Sequence, residues 1–194
     1  MGPLIFIIIA SIVIIVLLLV FVLPSTAKAK GKRGERRVSD RLTYLSYKYG
    51  GKYINNLMLS VKDGSTQIDH IYIDRSGVYV IETKNYSGDV YGDDYSNKWT
   101  QVFNYGRTKN SLYNPVKQNE GHIKALIYKL RSIDFYNVVI FIQGNIFNIR
   151  SKHVYTLNSF EKLVKEKNDL PPVLDEDSIE KLYDKLINLS ANGI

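Results

Sequence analysis

Apolar positions along the chain follow different periods in different places. Leu4 to Leu23 is an unbroken apolar run with Ser11 as its only polar residue. About 20 such residues match a hydrocarbon core about 30 Å thick, and a water-exposed helix has no use for apolar side chains all round. A single membrane-spanning helix is therefore expected over 4–23. A helical period comes next, with Val38, Leu42 and Leu45 on one stripe between Gly34 and Tyr49, ended by Gly50-Gly51. From there the period becomes that of strands. Tyr53–Val61 reads as one strand, and Thr66–Lys84 (TQIDHIYIDRSGVYVIETK) as two more joined by a turn at Asp74–Gly77.

The polar stretch Asp93–Asn97 suggests a hairpin tip before Trp99-Thr100. Asn114-Pro115 marks a helix start, with Asn as cap and Pro at the first helical position. That helix runs to about Arg131 and puts Gln118 and His122 on one face. Val138–Ile142 is a short run of buried-strand type, and His153–Leu157 is another strand candidate. Ser159 is expected to cap a helix through Lys167, which Pro171-Pro172 breaks. Ser178–Leu189 carries Ile179, Leu182, Leu186 and Leu189 on one stripe of a last helix. The order predicts a mixed α/β domain over 34–158, preceded by a basic juxtamembrane linker at 24–33 and followed by a helical extension at 159–194.

Charge adds an orientation. Lys28, Lys30, Lys32, Arg33, Arg36 and Arg37 directly follow the apolar run, and no basic side chain precedes it. Positive residues stay on the cytoplasmic side, so a single-pass protein with its folded part in the cytoplasm is expected. The same cluster would lie against anionic lipid head groups, worth about 1 kcal/mol per residue. The formal net charge of +7 favours polyanionic partners. Cysteine is absent, which excludes disulfides, thiolate nucleophiles and cysteine-held zinc. No phosphate-cradling G-x-x-x-x-G-K-[ST] loop, G-x-S-x-G elbow or H-E-x-x-H pair occurs.

The chemistry concentrates in Thr66–Lys84. On alternating strands Asp69 shares a face with Ile71 and Ile73, and Glu82 and Lys84 share one with Val80. Charged groups on faces that are otherwise apolar require compensation. A divalent cation held by Asp69 and Glu82 beside Lys84 supplies it, because hard cations take oxygen ligands. A structural ion pair is the other reading. Glu35, in the first turn of its helix, also suits the helix dipole, and His122 reads as a support of its helix face.

Read in order, Gly34-Glu35-Arg36, Gln67-Ile68-Asp69-His70, Gly77–Asn85, Ser87-Gly88, Trp99-Thr100, Asn114-Pro115 and Gln118-Asn119 with His122 resemble the nuclease-related (NERD) domain family. The resemblance implies a restriction-endonuclease-like α/β fold of the PD-(D/E)xK type, here behind a transmembrane helix. It places Asp69 as the motif's first acid, Glu82 and Lys84 as its E-x-K, Glu35 as the helix acid and Gln118 as the glutamine of the following helix. Ile68 stands where the motif name has proline. The resemblance further implies a phosphodiester hydrolase using Mg2+ or Mn2+, held by Asp69, Glu82 and the Thr83 carbonyl. Nucleic acid is the implied substrate, DNA ahead of RNA, with Lys52, Arg107, Lys109 and Lys117 as candidate phosphate contacts. A tethered module that binds nucleic acid or protein without cleaving is the alternative.

Overall fold

One long strand, β3 (Gly77–Asp93), organises the fold. The computed structural model describes residues 2–18, 23–62, 64–130 and 133–191. On one edge β3 pairs in parallel with β6 (Phe135–Arg150), which continues to the two-residue β7 (Val154–Tyr155). On the other edge β3 changes partners. Residues 77–81 pair with β2 (Gly64–Asp74), itself paired with β1 (Lys52–Val61). Residues 89–91 pair with β4 (Lys98–Phe103), which forms a hairpin with β5 (Thr108–Tyr113). The sheet is thus mixed, and it forks on one side of β3 between Ile81 and Asp89.

Helices cover both faces. Val38, Leu42 and Leu45 of α2 (Leu23–Tyr49) are fully buried with Tyr72, Tyr79, Ile81 and Phe160, the last from α4 (Leu157–Asn168). Leu126 and Leu130 of α3 (Pro115–Leu130) and Ile179, Leu182 and Leu186 of α5 (Glu176–Ala191) bury the opposite face with Ile71, Ile73, Val78 and Val80. The mixed α/β sheet flanked by helices is as expected.

Two helix ends reflect local chemistry. Gly50 at φ +68° turns the chain out of α2, and the Gly51 N–H closes on the Ser46 carbonyl at 3.2 Å, as a left-handed residue after a helix permits. At α3, Asn114 Oδ1 accepts the Val116 N–H at 2.9 Å, the N-cap the sequence signals.

Other boundaries differ from expectation. The basic stretch 24–33 is helical rather than a linker, because its Ala, Lys and Arg residues favour helix and its proline lies in the first turn. The cap of α4 is Thr156 rather than Ser159; Ser159 is its capping-box partner. Strand β5 gives no sequence signal because TKNSLY lacks apolar alternation, and pairing with β4 holds it. The expected membrane-spanning helix over 4–23 is not reproduced. The first helix, α1, covers Gly2–Leu17, its 16 residues giving about 24 Å at the usual rise, and residues 19–22 of the run lie outside the described residues. Among the described residues, no helix is long and apolar enough to cross a membrane.

A further irregularity falls in β1–β2. Ile54 pairs with Ile71 and Leu57 with Ile68, and all four are buried in one core. Three residues separate each from the next along its strand, so simple alternation would send them to opposite faces. The alternation breaks at Asn56 and Asp69, the opposed positions between these pairs, and Asn56 adopts φ +55°. The break keeps Ile54, Leu57, Leu59, Ile68, Ile71 and Ile73 in the core while freeing Asp69 from the strict alternation of the strand.

Candidate active site

The fork in the sheet is where the expected chemistry collects. Beyond Ile81 the β2 edge no longer continues the ladder, and Asp69 Oδ2 instead accepts the Thr83 N–H at 2.8 Å. A β2 carboxylate is thereby fixed to the peptide between Glu82 and Lys84. Those two side chains project from the same strand, and Lys84 Nζ donates to Glu82 Oε1 at 2.6 Å. Glu82 is only 2% exposed.

Helix α3 closes the site. The buried Asn119 donates to the carbonyls of Val80 at 2.8 Å and Val138 at 3.2 Å, fastening α3 across β3 and β6. Its neighbour Gln118 then reaches Lys84, accepting from Nζ at 3.1 Å. One turn on, His122 Nε2 lies 3.4 Å from Glu82 Oε2, and its Nδ1 meets Thr66 Oγ1 at 2.9 Å. The His122 contact with Glu82 and the part played by Thr66 lie beyond what the sequence predicts. The four-residue spacing from Gln118 is the available signal for His122; Thr66 carries none.

The electrostatics differ sharply between the two acids. Burial alone would raise the pKa of Glu82, but His122 and Lys84 outweigh it and hold it below its ordinary value. Burial is the largest influence on Lys84 and pulls it down, but Glu82, Tyr86 and Asp69 together outweigh it, so its pKa is raised and the ammonium persists. Asp69 lacks such a partner. Burial, then the charge of Glu82, push it up to about 7 against the Thr83 hydrogen bond, and Glu35 adds to the rise.

Asp69, Glu82, Lys84 and Gln118 are therefore brought together. Glu35 is half-buried on α2 and acts on Asp69 through its field; among the described residues no hydrogen bond or ion pair joins it to the other four. Two expected phosphate contacts are engaged elsewhere: Lys52 pairs with Glu180 at 2.7 Å, and Lys117 bonds Asn97 Oδ1 at 2.7 Å. Arg107 and Lys109 are exposed at and after the β4–β5 turn.

The donor set suits a hard cation. Asp69, Glu82 and the Thr83 carbonyl offer only oxygen, and the raised pKa of Asp69 reflects burial first and the nearby Glu82 charge second, both of which a cation would offset. Among the described residues, no group of three or more Asp, Glu or His side chains is placed to hold an ion. Mg2+ does not demand one, since it commonly takes one or two carboxylates with water and substrate oxygens.

Asp69 provides a stability test. In the unfolded chain it titrates near 3.8 and in the folded chain at about 7. Between these values the native state holds the additional proton, so stability falls as pH rises through the window. Asp69→Asn keeps an acceptor for Thr83 and carries no charge. In EDTA it should raise the Tm at about pH 8 and leave it near wild type at about pH 4; equal shifts at both would contradict the assignment.

The family model described as the nuclease-related domain matches residues 30–142, a range that contains all of Asp69, Glu82, Lys84, Gln118 and His122. The chain is 33% identical over 167 residues to an uncharacterized protein of Bacillus anthracis, covering 82% of this chain and 76% of that one. No solved structure matches significantly. With the family model spanning more than half the chain and the fold arranged around the same residues, this protein belongs to the nuclease-related domain (NERD) family.

Proposed function

We propose that the chain is a membrane-anchored nuclease that hydrolyses phosphodiester bonds of nucleic acid with a divalent metal ion. One observation carries the reading: Asp69 is clamped to the peptide between Glu82 and Lys84, so acid, acid and lysine occupy one buried corner of the sheet. Asp69 and Glu82, with the Thr83 carbonyl, would hold Mg2+ or Mn2+. Such an ion supplies charge neutralisation at the scissile phosphate and a lowered pKa for an attacking water.

The remaining work belongs to side chains. Lys84 stays protonated and presents a fixed positive group toward developing negative charge. Gln118 and Glu82 grip its ammonium from two sides, which sets its direction. His122, backed by Thr66, faces the second Glu82 oxygen and limits rotation of that carboxylate. The Glu82 Oε1 contact with Lys84 favours the second reading, a structural ion pair in a binding module without cleavage; the same cleavage assay separates the two.

Membrane attachment is proposed from α1. Its side chains from Ile5 to Leu17 are exposed almost throughout, Phe6 at 75%, and form an apolar surface that nothing among the described residues covers. Exposed apolar area of that extent marks an interaction site. Lipid is the occupant that the apolar run and the basic residues after it suit best.

The cleavage test uses the full chain in detergent micelles. Mg2+-dependent cleavage of a labelled oligonucleotide is expected, with Glu82→Gln and Lys84→Ala each slowing it about 100-fold or more. Cleavage at wild-type rate in both variants would overturn the catalytic assignment. For attachment, the chain reconstituted in phosphatidylcholine–phosphatidylserine vesicles should resist extraction by alkaline carbonate. The double substitution Ile8→Arg with Ile12→Arg should release it, and release of the wild type would remove the anchor.

A further inference from the structure

A cleft of about 580 Å³ opens beside the acids, between α2 and the β1–β2 ladder. Its helical wall is Lys32, Glu35, Arg36 and Ser39, a polar stripe at i, i+3, i+4 and i+7. This stripe runs beside the core stripe of Val38, Leu42 and Leu45. Its strand wall includes Asn55, Asn56, Gln67 and His70. His70 adjoins Asp69 and Gln67 lies two residues before it, and Asn56 and Asp69 are the unpaired positions between Asn55–His70 and Leu57–Ile68 in the ladder. The cleft and the acids therefore meet at the break in β1–β2.

The wall is pre-arranged. Asn55 donates to Ser39 Oγ at 2.9 Å, and its Oδ1 lies 2.7 Å from His70 Nδ1. Gln67 Nε2 donates to Asn56 Oδ1 at 2.7 Å. These bonds leave the Gln67 carbonyl as an acceptor and the Asn56 amide as a donor, held side by side. A fixed carboxamide edge of this kind is what pairs with the edge of a nucleobase. His70 is 2% exposed, and among the described residues its Nε2 has no hydrogen-bond partner. With Nδ1 turned to the Asn55 oxygen, Nε2 is left as a buried acceptor wanting a donor. Asn56 reaches its place only through a left-handed backbone, a conformation that collects at functional positions.

The geometry points to a nucleotide-binding cleft: Lys32 and Arg36 take the phosphates of one nucleic-acid strand, and the Asn56–Gln67 amides read an unpaired base beside the acids. The volume lies within the range of about 300–1,000 Å³ found for small-ligand pockets, which suits one nucleotide unit. The cleft thus specifies a strand with an unpaired base as the substrate. This rests on the nuclease reading, deepens it, and moves Lys32 and Arg36 from lipid to substrate.

The test is metal-free binding. The full chain in detergent micelles with EDTA is titrated into a labelled single-stranded oligonucleotide and into the same sequence as a blunt duplex. The single strand should bind about tenfold tighter or more. Gln67→Ala and Asn56→Gly, the latter relieving the positive φ and so keeping the fold, should each weaken single-strand binding about tenfold. Lys32→Ala and Arg36→Ala should each reduce the salt slope by about 0.7. Equal affinity for duplex, or wild-type affinity in both amide variants, overturns the proposal. So do unchanged salt slopes, which would return the two cations to lipid head groups. Absent Mg2+-dependent cleavage by the wild type alongside retained, amide-sensitive binding would sink only the catalytic reading.

Discussion

Glu82 is buried and Lys84 partly buried, 2.6 Å apart on β3, and the Glu82 charge depends on the Lys84 cation beside it. Removing one member of such a pair leaves an uncompensated charge in a poorly solvating interior, an effect typically of about 3–5 kcal/mol. The surrounding structure is arranged around that constraint. Gln118 and His122 take the directions the pair leaves open, and Asn119 locks α3 to the sheet so that both can reach. Asp69 completes the corner by bonding the peptide between them. It carries the electrostatic burden of the arrangement, since its charge is buried near Glu82 with no cation of its own in contact.

The fold supplies this corner by two departures from regular sheet. β3 exchanges β2 for β4 along one edge, which frees the Thr83 N–H for a side-chain acceptor. The β1–β2 ladder breaks alternation at Asn56 and Asp69, so the acid can leave the aliphatic core without dragging Ile68 or Ile71 to the surface. Both departures place polar groups where regular strands would bury aliphatic ones. The cleft lined by Glu35 and His70 opens at the same place, so the cleft and the charged corner share one structural origin.

Much of this is readable in the sequence because it depends on local pattern. The α2 stripe of Val38, Leu42 and Leu45, the Asn114 cap and the E-x-K spacing on an apolar strand are all short-range signals. What escapes depends on pairing between distant segments. β5 exists because β4 pairs with it. The Thr66–His122–Glu82 chain links β2, α3 and β3. Lys52 and Lys117 look available for phosphate in the sequence, yet partners at Glu180 and Asn97, remote from them along the chain, occupy them. The alternation rule itself misleads at Asp69, because a single left-handed residue on the neighbouring strand shifts the pattern by one position.

The central claim is that Asp69 and Glu82 form one cation site that Lys84 borders without joining. Calorimetric titration of the metal-free full chain with Mn2+ in detergent micelles tests it most directly. Wild type and Lys84→Ala should bind one ion, whereas Asp69→Asn and Glu82→Gln should each abolish saturable binding. Undiminished Mn2+ binding in both carboxamide variants would contradict the account.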